Sequence, residues 1–192
     1  NDGVPAMRAM VLEFPEDPAC ETLDRQYMLG ENLLVAPVFS EDKTVRYYVP
    51  EGTWTHFLSG IKVQGGRWYS ETYDYFSLPL LARPNSLIAV GNCEDKAEYN
   101  FSENVMLHMF ELEDGKNAQC IVYSPGGEKA LEVVVKRSGV QLQVKTIAGD
   151  KPWKLLLHGI EAVSSATGST CEAGPNGILV TPENKSSFSI ML

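Results

Sequence analysis

Apolar positions run almost without a break over residues 7–14, interrupted by Arg8 and Glu13 and stopped by Pro15. Directly after, Asp17 can cap a helix and Pro18 suits its first position. Cys20, Leu23 and Tyr27 then recur at i, i+3 and i+7, and Gly30 supplies a left-handed stop, so the pattern predicts a helix over 18–29. A short apolar run followed at once by an amphipathic helix reads as a buried parallel strand and its covering helix. One βα unit cannot bury itself, and nothing later in the chain repeats it. Left without neighbours, the run should be disordered, repacked or paired with another copy.

From Leu33 the pattern changes to short apolar or alternating runs between turn residues. Strands are predicted at 33–39, 45–49, 53–57, 61–64, 68–71, 80–83 and 87–90. Residues 91–96 are polar and read as a linker. A second series follows at 105–112, 119–123, 131–136, 140–146, 153–157, 160–163, 178–181 and 188–192, the spacing of an antiparallel sandwich. Its clearest member is a hairpin over 131–146, in which Val140, Leu142 and Val144 alternate with Gln141, Gln143 and Lys145 and place one face in a core.

Composition narrows the function classes. The chain has 192 residues with 16 Lys+Arg against 25 Asp+Glu, a net charge of -9 that is spread along its length. No basic cluster offers a surface to nucleic acid or to an anionic membrane, and no apolar run is long enough to span a bilayer. Cys20, Cys93, Cys120 and Cys171 lie tens of residues apart without CxxC or metal-ligand spacing, so they read as four reduced, mostly buried thiols. Asn100-Phe101-Ser102 and Asn184-Lys185-Ser186 match a glycosylation sequon that recurs by chance. The chain opens on Asn1 rather than Met and enters an apolar run at once, as if joining a fold already under way.

Candidate chemistry is sparse. His56, His108 and His158 fall on three different predicted strands with no nucleophile motif beside them, and read as structural or solvated. No GxSxG, Gly-rich phosphate loop or dinucleotide fingerprint occurs, so no catalytic residue, cofactor or metal ligand is assigned. Half of the aromatic residues lie between Tyr47 and Phe76. Trp54, Trp68 and Tyr73 are the candidates for stacking on a sugar ring, beside the plainer reading that they pack a small sheet or seal a domain contact.

Three separated stretches carry a family pattern: PAMRAMVLEFPEDPACETLDRQYMLGENLLVAPVF at 5–39, YYVPEGTWTHF at 47–57 and SLPLLARPNSLIAVGN at 77–92. Together they resemble the C-terminal part of glycoside hydrolase family 31, the bacterial α-xylosidase type. The resemblance covers roughly the first 92 residues, and the rest fits in size and β character. It implies a mainly β chain, with two antiparallel sandwich-type domains preceded by an orphan βα unit from a (β/α)8 barrel. Residues 1–30 would be the last barrel strand and helix, 31–91 a proximal and 92–192 a distal β domain.

The family is a retaining type that works through two aspartates on earlier barrel strands. Neither motif is present, so no catalytic role passes to Asp17 or Asp24. The chain would be a non-catalytic C-terminal part of an enzyme that removes α-linked xylose or a related sugar from oligosaccharides. It would be inactive by itself, cytoplasmic, and concerned with carbohydrate metabolism. Its partners would be the N-terminal barrel of the same protein, the oligosaccharide substrate of the whole enzyme and, through oligomer contacts, further copies. The alternative is a carbohydrate-binding sandwich with no hydrolase role. Because barrel strands end at the active face, Glu13 and Phe14 are candidates for sugar contact at the rim.

Overall fold

The computed structural model describes residues 3–93, 95–96, 98–183 and 186–192. The second sequon, at Asn184 and Lys185, lies outside them. The chain divides into two compact units, Asn1–Pro84 and Asn85–Leu192.

Unit 1 begins with β1 (Met7–Arg8), α1 (Met10–Glu13) and a 3-10 turn (Pro18–Cys20). The strands β2 (Tyr27–Leu29), β3 (Leu33–Val35), β4 (Thr44–Val49), β5 (Thr53–His56), β6 (Lys62–Gln64), β7 (Arg67–Thr72) and β8 (Leu80–Ala82) follow. Six of them form one sheet in the order β1-β2-β3-β8-β5-β6, and β4 pairs with β7. Met10, Met28, Leu34, Tyr47, Val49, Trp54 and Leu81 are fully or almost fully buried in its core.

The opening segment departs from the expected strand and helix. Over 7–14 only Met7 and Arg8 are extended, and they pair antiparallel with Leu29 and Met28. Residues 10–13 turn into α1, whose only buried side chain is Met10, while Met7 and Leu12 remain exposed. The run therefore buries one side, through Met10, and leaves the other in solvent. The predicted helix 18–29 is replaced by one 3-10 turn and by β2. Asp17 does cap, its Oδ1 accepting from the Ala19 N–H at 3.0 Å. Propagation then loses to a pairing distant in sequence. The Gln26 amide donates to the Tyr48 carbonyl (2.7 Å) and accepts from the Tyr48 N–H (2.8 Å), acting as a short length of strand beside β4. Gly30, with φ of +60°, turns β2 into β3 instead of ending a helix.

Unit 2 contains β9 (Ser86–Val90), β10 (Val105–Phe110), β11 (Asn117–Tyr123), β12 (Lys129–Ser138), β13 (Gln141–Ala148) and β14 (Trp153–His158). It closes with β15 (Ser165–Thr167), β16 (Ser169–Gly174), β17 (Gly177–Pro182) and β18 (Ser187–Met191). Two five-stranded sheets, β16-β17-β14-β10-β9 and β11-β12-β13-β18-β15, enclose a shared core. Leu107, Leu155, Leu157 and Val180 come from one, and Val133, Val135, Leu142, Val144 and Ile190 from the other. This is a sandwich, antiparallel apart from β10 and β14, which pair in parallel.

The strand at 87–90, expected to close the proximal domain, is β9 and hydrogen-bonds along β10 in unit 2. The hairpin β12–β13 forms with the expected alternation, Leu142 and Val144 buried and Gln141, Gln143 and Lys145 exposed. Val140 is not in its core. It sits in the two-residue turn with Gly139, since Ser138 faces Gln141. No strand forms at 160–163; β15 and β16 follow it, in Ser- and Thr-bearing sequence without an apolar run.

Candidate functional site

Unit 1 gathers the residues singled out for chemistry. Glu13 closes α1 and points back into the fold, between two guanidinium groups. Arg8 Nη1 donates to its Oε1 at 2.6 Å and Arg83 Nη1 to its Oε2 at 3.1 Å. Arg8 is itself fixed by donation from Nε to the Pro5 carbonyl (2.9 Å), and Arg83 by donation to the Glu31 carbonyl (3.3 Å). The Arg83 guanidinium lies 4.5 Å from the centre of the Phe14 ring, which tilts against Trp54 at 6.1 Å. Charge and ring contacts therefore lock the segment after α1 to the residue that follows β8.

Beside this lock lies a cleft of about 650 Å³ whose walls include Glu13, Phe14, Asp17, Tyr48 and Glu51. The Tyr48 hydroxyl donates to Asp17 Oδ2 at 2.9 Å. Burial and that carboxylate push the Tyr48 phenol up to about 12, so it remains a neutral donor. Glu13 and Phe14, the rim candidates, thus share a cleft, although both carboxylate oxygens of Glu13 are occupied by arginine.

The three stacking candidates separate. Trp54 is fully buried, its indole N–H donating to the Pro50 carbonyl at 2.9 Å, and presents no face to solvent. Tyr73 stacks on His56 with ring centres 6.1 Å apart and donates to Glu71 Oε2 at 2.7 Å. The Tyr47 hydroxyl donates to the same oxygen at 2.7 Å, and burial followed by that bond raises its phenol far above the ordinary range. Trp68 is 46% exposed and borders a groove of about 720 Å³ with Asp24, Arg25, Phe39 and Arg46. The Arg46 guanidinium, however, lies over its ring at 4.9 Å, and Tyr48 tilts against it at 5.6 Å. One exposed tryptophan remains, already engaged by a cation.

No disulfide joins any two of the four cysteines, and only Cys20 is buried, where mostly buried thiols were expected. Among the described residues no group of three or more His, Cys, Asp or Glu is placed to hold a metal ion. No helix among them is long and apolar enough to cross a membrane. Sequence reading missed a contact between histidines in unit 2, His108 Nδ1 lying 2.9 Å from His158 Nε2. The two residues are 50 positions apart, and only the parallel pairing of β10 and β14 brings them together.

Residues 3–88 match the family described as the glycosyl hydrolase family 31 C-terminal domain, and residues 100–192 that described as the alpha-xylosidase YicI C-terminal domain. Alpha-xylosidase XylQ of Lactiplantibacillus pentosus is 34% identical over 148 residues, covering 76% of this chain and 19% of that protein. An alpha-xylosidase of Emericella nidulans is 48% identical over 108 residues, covering 52% of this chain and 14% of that protein. A Flavobacterium johnsoniae GH31 dextranase solved with glucose has the same fold, with a TM-score of 0.81 at 20% identity over 99% of this chain and 29% of that one. The chain spans about a fifth or less of the length of these two curated relatives. With both units matched in order, the chain belongs to glycoside hydrolase family 31 and corresponds to the C-terminal β domains of its members.

Proposed function

We propose that this chain is the non-catalytic C-terminal part of a retaining, α-xylosidase-like hydrolase that acts on oligosaccharides, and that its β units brace the catalytic barrel. The observation that carries this reading is the lock on Glu13. Two arginines and an aromatic contact fix the end of α1 to the framework of unit 1. In the proposed enzyme, the lock sets how the segment that opens unit 1 meets the barrel. Met7 and Leu29, paired across β1 and β2, are both exposed, as is Leu12 on α1, so the segment offers apolar surface to a neighbour. Glu13 and Phe14 then stand at the rim as parts of a positioned wall.

The two carboxylates of the retaining mechanism belong to the barrel in this reading, and the chain supplies position and not proton transfer. The test is direct: the purified chain should give no turnover of an aryl α-xyloside above a protein-free blank. Saturable turnover, lost on acid denaturation, would refute it.

A further inference from the structure

The hairpin that joins β16 to β17 turns through two exposed residues, Pro175 and Asn176, since Gly174 faces Gly177 across it. Asn176-Gly177 is the one Asn-Gly step in the sequence. The fold itself calls for the glycine. Gly177 has φ of +139°, and a Cβ there would collide with the Leu157 carbonyl oxygen of β14. A residue without a side chain leaves its own peptide nitrogen unscreened towards the asparagine before it. The asparagine is equally open. Its carbonyl accepts from the Gly159 N–H at 3.2 Å, but its side-chain amide makes no hydrogen bond among the described residues. Asn85 and Asn100 differ on both counts. Asn85 Oδ1 accepts from the Glu113 N–H at 2.8 Å and its Nδ2 donates to Glu113 Oε2 at 3.0 Å, while Asn100 Oδ1 accepts from Ser102 Oγ at 2.8 Å. Each is followed by a residue with a side chain, Ser86 and Phe101. The pairing around the Gly177 nitrogen is weak as well. Gly174 and Gly177 close the ladder with no cross-strand side-chain contact, and β16 is an edge strand. Such an end frays at little cost, and glycine gains the most backbone freedom when it does.

We propose that Asn176 is a site of spontaneous covalent modification. The Gly177 peptide nitrogen attacks Asn176 Cγ. The new C–N bond closes a five-membered imide, and the side-chain nitrogen leaves as ammonia, carrying the Gly177 proton. Water then adds to one of the two imide carbonyls and breaks its bond to the Gly177 nitrogen. Opening at the side-chain carbonyl gives aspartate. Opening at the main-chain carbonyl gives isoaspartate, which routes the chain through Cγ and adds one backbone atom. Either product places one further negative charge at the tip of the hairpin. A two-residue turn has no slack for an added atom, so the isoaspartyl form loses the Gly174–Gly177 pair and loosens β16. The modification is separate from the bracing role and does not depend on it.

The experiment incubates the full 192-residue chain in mildly alkaline buffer and digests samples over time. Peptides are followed by mass and by methyl transfer from S-adenosylmethionine with an isoaspartate-specific carboxyl methyltransferase. The peptide bearing Asn176 should deamidate about tenfold faster, or more, than any other, at a rate that rises with pH, and should accept methyl groups. Asn176→Gln, which would have to close a six-membered ring, should abolish that methyl uptake without unfolding the chain, because the side chain is exposed. Conversion of another asparagine first, or methyl uptake undiminished in Asn176→Gln, overturns the site. Conversion of Asn176 only after denaturation means that the hairpin protects it and overturns the proposal equally. Amide exchange across β16 should quicken in the isoaspartyl product separated by ion exchange; exchange there at the unmodified rate overturns the loosening.

Discussion

His108 and His158 share a hydrogen bond of 2.9 Å between Nδ1 and Nε2, with Phe110 stacked on His158 at 4.2 Å. The residues directly opposite them in the sheet carry no charge: Ile88 on β9 and Leu156 on β14 face His108, and Gly177 on β17 faces His158. A neutral pair fits this site, one ring N–H donating to the lone pair of the other. Burial lowers the pKa of both, and for His158, where the His108 charge adds to it, the value falls to about 4.

The sign of the pH effect follows. A histidine whose pKa is lower in the fold than in the unfolded chain binds its proton preferentially when unfolded. Unit 2 should keep full stability above pH 6.5 and lose it as pH falls from 6.5 towards about 4. The loss for His158 is about 2 kcal/mol after allowance for partial solvation. Urea titrations between pH 4 and 7, followed through Trp153 in the same core, should show this slope. His158→Gln should flatten it, and a slope unchanged in that variant would exclude the pair as its source.

Glu13→Gln leaves Arg8 and Arg83 facing an amide in place of a carboxylate. The groups are largely but not fully buried, so the cost should fall below that of a fully buried pair, at about 1–2 kcal/mol. Amide exchange in unit 1 should report it, with the fastest opening around α1. A double-mutant cycle with Arg8→Met should give a coupling of about 1 kcal/mol, and a value near zero would mean that the pair holds nothing.

The two tryptophans of unit 1 should behave oppositely. Trp54→Ala empties the centre of the core and removes the hydrogen bond to Pro50, for a loss of about 3–5 kcal/mol. Trp68→Ala removes a half-exposed ring and should cost no more than about 1 kcal/mol. Chemical denaturation of the two variants, compared with the parent, checks the ranking; equal losses would contradict the burial that separates them.

Gly177 should tolerate no side chain. Its φ is +139°, and a Cβ there would stand 1.9 Å from the Leu157 carbonyl oxygen on the neighbouring strand. Gly177→Ala should destabilise unit 2 by about 2–4 kcal/mol and free the amides of β17 for exchange.

What the sequence revealed was what neighbouring residues decide. The alternation of Leu142 and Val144 with Gln143 and Lys145 is a period-two signal, and β13 obeys it. The aromatic density between Tyr47 and Phe76 correctly marked a core around Tyr47 and Trp54. The opening segment misled because its signals were local and its fate was not. Asp17 and Pro18 start a turn as they should, and then Gln26 is claimed by Tyr48, 22 residues on. The same limit hid the two histidines, which meet only after a parallel pairing across 50 residues. Likewise β15 and β16 consist largely of small and polar residues, and no apolar pattern announces them. Glu13 and Phe14 are neighbours in sequence and share a cleft wall, but Arg83, which contacts both, lies 70 residues beyond Glu13 and carried no signal of its own.

Heat inactivation tests the bracing role most directly. The α-xylosidase of L. pentosus, produced without its matching region, would be held at elevated temperature with and without this chain, and residual hydrolysis of an aryl α-xyloside followed over time. The bracing role predicts slower inactivation when the chain is present, saturating with its concentration and reduced by Glu13→Gln. Inactivation that proceeds at one rate whether or not the chain is added would contradict it.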